Sequence, residues 1–282
     1  MVVPSCIEFM QSLPSFSLAS IHTYTNLLRN KHLIFVGDSL TRYQYLDLVY
    51  LITFEDYLID SPSLNPINEH TFQDWHLFYN YTNGNLAPYE KCDCFRDNEL
   101  HDERKEFENR YYYHPSFNIS ITYVMFTGRF DTLKGHWYDT GDFDKYREPS
   151  DYYYKEFWSG SLIEKSDWLL SLSSYPTQIL VMNVGHHPQK SFSNVNLAKD
   201  TIRFLETKFS TVIWKTTTYA MGQEKDRETD QEICAVPTTH CLDLSWTKHV
   251  DAICYWDDKH FFAPVYSLIN SQMIRLLESL YS

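Results

Sequence analysis

Three short segments, far apart in the chain, contain side chains that together could carry out nucleophilic chemistry. They are GDS at residues 37–39, NVGHH at residues 183–187 and DDKH at residues 257–260. A serine becomes an effective nucleophile when a histidine takes its proton, and a carboxylate commonly holds that histidine in the required tautomer. These residue types predict an acyl transfer that passes through a covalent serine intermediate.

Ser39 is the expected nucleophile. The run HLIFVG at 32–37 is short, apolar and rich in β-formers, which is typical of a buried parallel strand, and apolar residues at helical spacing follow over 40–53. Ser39 is therefore expected at the N-cap of a helix, where free backbone N–H groups stabilise developing negative charge and where Asp38 can brace the turn. A serine that only caps the helix is the alternative. The G-x-S-x-G pattern of α/β-hydrolases is absent from the sequence.

Asp257 and His260 are the expected orienting carboxylate and general base. Positions i and i+3 of a turn face the same way, so Asp257 could hold one ring nitrogen while the other takes the proton of Ser39. A surface capping pair and two ligands of a metal site are the alternatives. A metal-dependent hydrolase that uses His187, His260 and Asp257 is accordingly another hypothesis, although the sequence contains no H-E-x-x-H or C-x-x-C pair.

Asn183 and Gly128 are the expected oxyanion donors, together with the backbone N–H of Ser39. Asn183 lies near the end of a predicted strand at 178–184, and Gly128 follows another at 119–126. Ordinary packing and solvent-facing loops are the alternative for the neighbouring histidines and aromatic residues. The side chains expected to contact a substrate are Arg42, His136, Trp137, His186 and His187.

Strands alternate with helices along the chain. A further strand is predicted at 211–215, a helix at 197–209 and a last amphipathic helix at 262–281. This alternation is typical of an α/β domain with a parallel sheet, whose ligand sites lie at the carboxyl ends of the strands. The 282 residues are expected to form one catalytic domain, with 1–30 as a lead-in segment and 55–113 as a large irregular insertion.

Composition narrows the class of partner and the compartment. A formal charge of −13 opposes binding of nucleic acid, and no apolar run is long enough to span a membrane. Six cysteines, which allow 15 pairings, and sequons at Asn80 and Asn118 favour an oxidising, secretory setting. The N-terminus lacks the basic and apolar regions of a signal peptide, so a lumenal protein is expected to have an upstream signal or anchor outside this chain.

The order of these motifs resembles the SGNH/GDSL hydrolase superfamily. The similarity is greatest to its branch of plant trichome-birefringence-like polysaccharide O-acetyltransferases and PC-esterase proteins, in the phrases IFVGDSLTRYQYLDLVYL, VMNVGHH, VIWKTTT and DDKHF. It extends from about Cys6, which resembles the last cysteine of a longer N-terminal segment, to the chain end, and it matches poorly in the middle insertion. The resemblance implies a three-layer α/β/α sandwich with a mostly parallel five-strand sheet, for which 241–246 would supply the fifth strand.

The resemblance also implies an activity. Ser39, Asp257 and His260 would be the catalytic triad of a polysaccharide O-acetyltransferase that transfers an acetyl group to a carbohydrate by double displacement. The alternatives are a carbohydrate acetyl esterase of the same fold and a glycan-binding module without turnover. No cofactor is expected beyond an acyl donor, such as an acetyl ester or acetyl-CoA, and the expected location is the Golgi lumen or the cell exterior. Two departures concern substrate specificity: the chain reads Phe-Phe-Ala-Pro at 261–264 where the plant enzymes have a Trp-Cys-Pro-Gly-type segment, and Tyr43 stands where they often have Asn.

Overall fold

The structure, a computed structural model, describes the protein over ten stretches of its sequence. Within them lie seven α-helices and nine strands, numbered here in chain order. The described residues are 5–58, 82, 86–95, 107–126, 128–129, 134–135, 162–183, 185–186, 195–222 and 228–282. The helices are α1 (Cys6–Ser12), α2 (Ile21–Leu28), α3 (Ser39–Phe54), α4 (Leu162–Ser171), α5 (Val195–Glu206), α6 (Glu228–Cys234) and α7 (Ala263–Tyr281). The strands are β1 (Lys31–Gly37), β2 (Glu90–Phe95), β3 (Phe107–His114), β4 (Ile119–Met125), β5 (Gly128–Arg129), β6 (Lys134–Gly135), β7 (Thr177–Met182), β8 (Thr211–Lys215) and β9 (His240–Leu242).

Seven strands form one sheet, in the order β2-β3-β4-β1-β7-β8-β9. The five strands from β4 to β9 in this order run parallel, and the hairpin of β2 and β3 adds antiparallel to the outer edge of β4. β5 and β6 pair separately. The predicted α/β class with a mostly parallel sheet is confirmed, but the sheet has seven strands instead of the expected five, because the β2–β3 hairpin extends it.

Helices cover both faces of the sheet because the parallel strands are apolar on both sides. In β1, Leu33 and Phe35 join one buried cluster, which also contains residues of α1, α2, α3 and α7. Ile34 and Val36 join a second buried cluster, with residues of α4, α5 and α6. The sheet therefore lies between two helical layers.

Most elements around the candidate site lie where the sequence predicts them, and one strand does not. The fifth parallel strand, expected at 241–246, is β9 and spans only His240–Leu242. Asp243 ends it, because its carboxylate accepts the backbone N–H of Ser245 at 2.9 Å and starts the 3₁₀ turn Ser245–His249.

The predicted irregular insertion at 55–113 contains regular structure at its C-terminal end. There β2 pairs with β3, and β3 pairs with β4. Arg110 of β3 is fully buried and forms an ion pair with Glu90, with its Nη1 2.9 Å from Oε1. Buried charges of this kind conceal the apolar alternation by which a strand is normally predicted.

Two disulfides join distant or neighbouring elements among the residues whose side chains are described. Cys6 of α1 bonds to Cys254, 248 residues later, and Cys234 of α6 bonds to Cys241 of β9. The first ties the lead-in helix to the segment that immediately precedes Asp257. These disulfides are compatible with a secreted or lumenal protein.

The strand order creates a topological switch point next to β1. After β1, the chain forms the strands that lie on one side of it, ending with its neighbour β4. It then crosses to the other side of β1, where β7, β8 and β9 follow in order. Ligands of open α/β sheets bind beyond the carboxyl ends of strands at such a point. The segments that follow β1 and β7 are the GDS and NVGHH motifs, so the topology brings these two predicted motifs together.

Candidate functional site

The turn between β1 and α3 presents Ser39. Asp38, not Ser39 as expected, is the N-cap of α3, since its Oδ1 accepts the backbone N–H of Leu40 at 3.1 Å. Ser39 is the first residue of the helix, and its hydroxyl is directed to another partner. Gly37 allows this tight turn, because a Cβ there would lie 2.3 Å from Oγ1 of Thr41.

A short antiparallel loop positions Asp257 and His260. Tyr255 and Phe261 form an isolated bridge at its base, and the N–H of Trp256 donates to the carbonyl of His260 at 3.0 Å. At its tip, Oδ1 of Asp257 accepts the backbone N–H groups of Lys259 at 2.7 Å and His260 at 2.6 Å. Asp257 thus fixes the backbone of the loop as well as the histidine ring.

Ser39, His260 and Asp257 form a continuous hydrogen-bond relay. Oγ of Ser39 lies 2.7 Å from Nε2 of His260, and Nδ1 of His260 lies 2.6 Å from Oδ2 of Asp257. Burial of Asp257 opposes its ionisation, but the hydrogen bonds from the ring and backbone of His260 and from the backbone of Lys259 outweigh this and lower the pKa of Asp257 to about 2. An ionised Asp257 keeps the proton of His260 on Nδ1 and leaves Nε2 free to accept the proton of Ser39.

Two aromatic side chains, which no motif of the sequence assigns to the site, pack against the imidazole of His260. The Trp256 indole stacks on the His260 ring, with centroids 4.8 Å apart and planes 14° apart. Tyr43, which is fully buried, meets the same ring edge to face at 5.3 Å. Trp256 precedes the D-x-x-H motif directly and Tyr43 lies one helical turn after Ser39, so proximity to the two motifs was the available signal. Together they restrict the rotation of the base.

The GDS and NVGHH motifs are joined through Asp38. Oδ2 of Asp38 accepts the backbone N–H of His186 at 2.9 Å. Gly185 packs against the same carboxylate with φ +74°, and a Cβ at Gly185 would lie only 1.8 Å from Oδ2 of Asp38. Nε2 of His186 lies 3.5 Å from Oγ1 of Thr218, in the segment after β8.

Gly185→Ala is expected to disturb the site more than an ordinary glycine substitution. Gly222 offers a matched control, since it has φ +73° and no atom within 4 Å of an added Cβ. Both substitutions introduce backbone strain of about 1 to 2 kcal/mol, but only Gly185→Ala must also displace the Asp38 side chain. Urea unfolding should show a larger loss of stability for Gly185→Ala than for Gly222→Ala, with reduced ester turnover in the first alone. Equal effects of the two substitutions would contradict this account of Gly185.

Asn183 lies at the end of β7 with its amide engaged. Its side chain is buried, and Nδ2 donates to the carbonyl of Lys215 at 2.7 Å and to Oγ1 of Thr217 at 3.3 Å. As an oxyanion donor, Asn183 would exchange the longer of these bonds for one to the reacting oxygen. That role stays a prediction.

Lys215 is a buried cation that no motif of the sequence assigns to the site. Its Nζ donates to Oγ1 of Thr41 at 2.8 Å and to Oε1 of Gln44 at 3.2 Å, both in the first turns of α3. Burial lowers the pKa of Lys215 to about 8, and the nearby charge of Asp38 opposes this shift. Lys215 therefore anchors the helix that carries Ser39 while its carbonyl holds Asn183.

Gly128 and Arg42 are two further predicted site residues. Gly128 begins β5, two residues after Phe126, whose N–H donates to the carbonyl of Gly37 at 2.7 Å. Arg42 is buried, with its guanidinium 4.5 Å from the centroid of the Tyr43 ring. Arg42 thus contacts an aromatic residue that packs on His260. The oxyanion role of Gly128 and direct substrate contact by Arg42 stay predictions.

The remaining predicted substrate contacts, His136, Trp137 and His187, lie outside the described residues. Within the described part of the chain, no group of three or more His, Cys, Asp or Glu side chains is placed to hold a metal ion. No helix in that part combines the length and the hydropathy needed to cross a membrane.

The fold and the site define an α/β protein with a serine, a histidine and an aspartate in a hydrogen-bond relay at the carboxyl edge of its sheet. No protein-family model matches the chain, and no curated protein shows significant similarity to it. The relay and its surroundings are therefore the features that bear on function.

Proposed function

We propose that this protein is a serine-dependent acyltransferase that acetylates hydroxyl groups of a carbohydrate. The relay from Ser39 through His260 to Asp257, with links of 2.7 and 2.6 Å, is the observation that carries the proposal. Its three members come from opposite ends of the chain. Backbone hydrogen bonds to Asp257 and two aromatic rings packed on His260 hold the side chains in place. A chain that only capped a helix with Ser39 would not need this arrangement.

The proposed reaction has two displacements. Oγ of Ser39 attacks the acyl carbon of an ester or thioester donor while Nε2 of His260 takes its proton, and the leaving alcohol or thiol departs with that proton. An acceptor hydroxyl then attacks the acyl-serine, His260 takes the hydroxyl proton and returns it to Ser39, and a new ester is released. The backbone N–H of Ser39, in the first turn of α3 where no intrahelical acceptor exists, would stabilise the oxyanion in both steps.

Membership of the SGNH/GDSL superfamily, in its PC-esterase and trichome-birefringence-like branch, belongs to the same proposal. The order of the motifs supports it, as do the five parallel strands and the helices on both faces of the sheet. Carbohydrate as the acceptor rests on this resemblance. A location in the Golgi lumen or outside the cell is proposed on the same basis, together with the two disulfides.

A carbohydrate esterase is the second candidate. The side chains of His260 and Asp257 retain 16% and 29% of their surface exposed, so water has access to the base. The acceptor alone separates the two activities, because the first displacement is common to both. A glycan-binding module without turnover would have no use for the relay.

Trapping of an acyl-serine tests the proposal. Incubation with an activated acetyl ester such as 4-nitrophenyl acetate should add one acetyl group to the peptide that contains Ser39, detected by mass spectrometry. Ser39→Ala should remove the adduct, whereas Ser279→Ala, at an exposed serine of α7, should not. Faster decay of the adduct with added oligosaccharide indicates a transferase, and decay that sugars leave unchanged indicates an esterase. A folded wild-type protein that forms no adduct would refute both.

A further inference from the structure

A cavity of about 160 Å³ lies near the carboxyl ends of β8 and β9. We call it the β8–β9 pocket. An engineered apolar cavity of similar volume holds one six-membered ring. Its lining includes Thr216, Thr217, Tyr219, Asp230, Gln231 and Asp243.

The floor of the β8–β9 pocket contains polar groups that hydrogen bonds hold in place. Asp230 is 6% exposed, and its two oxygens accept the indole N–H of Trp214 at 3.0 Å and the backbone N–H of Thr217 at 2.8 Å. Oγ1 of Thr216 accepts the N–H of Leu244 at 2.7 Å, so the hydroxyl proton of Thr216 remains to be donated. Groups fixed in this way bind a ligand without a large ordering cost.

The rim is held by covalent and polar links. The Cys234–Cys241 disulfide joins α6 to β9, and Cys234 itself lines the cavity. On the opposite side, the carboxylate of Asp243 accepts both the N–H of Ser245 at 2.9 Å and its hydroxyl at 3.0 Å. The pocket is therefore a formed feature of the fold.

The charges around the pocket select the class of ligand. Two of its lining residues, Asp230 and Asp243, are acidic, and none of the described residues that line it is cationic, so an anionic ligand would be repelled. For a cationic ligand, the positive charge beside Tyr219 is already supplied in part, because the Lys248 ammonium lies 5.8 Å from the centroid of that ring. A neutral ligand rich in hydroxyl groups fits best, since each carboxylate oxygen can accept more than one hydrogen bond.

We propose that the β8–β9 pocket binds one neutral sugar residue of the acceptor, away from the hydroxyl that reacts. This inference rests on the proposed function. Ser39 and the pocket share the carboxyl edge of the sheet, two to three strands apart, which is about 10 to 15 Å at the usual strand spacing. Thr217 connects them, because its Oγ1 accepts from Asn183, the predicted oxyanion donor, at 3.3 Å.

Binding can be observed without catalysis. The indole N–H of Trp214 donates to Asp230, so its ¹⁵N–¹H signal in the Ser39→Ala protein reports on the pocket floor. Neutral hexasaccharides of glucose, xylose and mannose are the probes, and hexagalacturonate is the anionic comparison. We expect at least one neutral hexamer, and not hexagalacturonate, to shift the Trp214 signal saturably. No shift with any neutral hexamer, or an equal shift with hexagalacturonate, would overturn the inference.

A blocking variant separates this inference from the proposed function. Gln231→Phe places a ring at the exposed rim, and Glu232→Phe, the next exposed residue of α6 and not a lining residue, is the matched control. Gln231→Phe should weaken hexamer binding and acyl transfer to the hexamer at least tenfold, while hydrolysis of 4-nitrophenyl acetate and the Glu232→Phe protein stay within twofold of wild type. Unchanged hexamer binding in Gln231→Phe would refute the pocket, whereas absence of wild-type ester turnover with an intact Trp214 titration would refute only the proposed function.

Discussion

Asp257→Asn is expected to lower kcat for ester turnover about 10⁴-fold, the size of the equivalent change in a serine protease, with a much smaller effect on KM. Oδ1 of the asparagine can still accept the backbone N–H groups of Lys259 and His260, so the loop keeps its conformation. The new amide nitrogen, however, cannot accept the Nδ1 proton of His260. The ring would then carry its proton on Nε2, and could not take the proton of Ser39.

The neighbouring residue provides the control for this substitution. The Asp258 side chain is largely exposed, and within the described part of the chain its one ion pair is a long one to Lys259, at 3.7 Å. Asp258→Asn should therefore leave kcat within about twofold of wild type, because an exposed pair of this kind contributes little. Steady-state kinetics with 4-nitrophenyl acetate give kcat and KM for each variant. A circular dichroism spectrum checks that each variant is folded. An Asp257→Asn enzyme that retains a tenth of wild-type kcat would show that His260 does not depend on Asp257.

The fold near the site was predictable because its elements have strong local patterns. β8 lies at the predicted residues, and the bounds of β1, α3 and α7 differ from the predicted ones by no more than one residue at each end, since each is a continuous apolar run or a clear helical repeat. The pair of Asp257 and His260 was predictable for the same reason, as its geometry is set within four residues. β3 was not predictable in this way, because pairing with Glu90 is what allows Arg110 to be buried in a strand.

Other features of the site depend on contacts between distant residues, which local patterns do not reveal. Capping of α3 by Asp38 instead of Ser39 is linked to the Gly185 segment, whose next residue, His186, donates to the same carboxylate. Lys215 reads as the polar end of an apolar strand, and only the tertiary structure shows its ammonium bound to Thr41. Trp256 and Tyr43 are aromatic residues among many in this chain. Their role is apparent only in the tertiary structure, where both rings pack against the imidazole of His260.

The interface between α3 and α7 contains a buried carboxyl group that makes stability depend on pH. Asp47 is 2% exposed, and it accepts hydrogen bonds from Oγ of Ser267 at 2.8 Å and Nδ2 of Asn270 at 2.9 Å. Burial raises the pKa of Asp47 from 3.8 to about 7, although these two hydrogen bonds oppose the shift. The nearby Tyr24 and Tyr57 hydroxyls supply no positive charge to offset this burial.

The sign of the pH effect follows from proton binding. Between about pH 4 and about pH 7 the folded protein holds a proton on Asp47 that the unfolded chain has released. The stability that Asp47 contributes is therefore fully present below about pH 4 and is lost as the pH rises through about 7. A shift of this size corresponds to a change in unfolding free energy of up to about 4 kcal/mol.

Asp47→Asn should remove this dependence because an amide does not titrate. Urea unfolding at intervals from about pH 4 to about pH 8 is expected to show the unfolding free energy of Asp47→Asn rising relative to wild type by up to about 4 kcal/mol. Asp200→Asn, at an exposed carboxylate that pairs with Arg203, should give a difference from wild type that changes by less than about 1 kcal/mol over the same range. If the difference for Asp47→Asn were equally flat, Asp47 would have to be ionised in the folded protein throughout, and its partners on α7 would then have to stabilise a buried charge that two neutral hydrogen bonds alone do not offset.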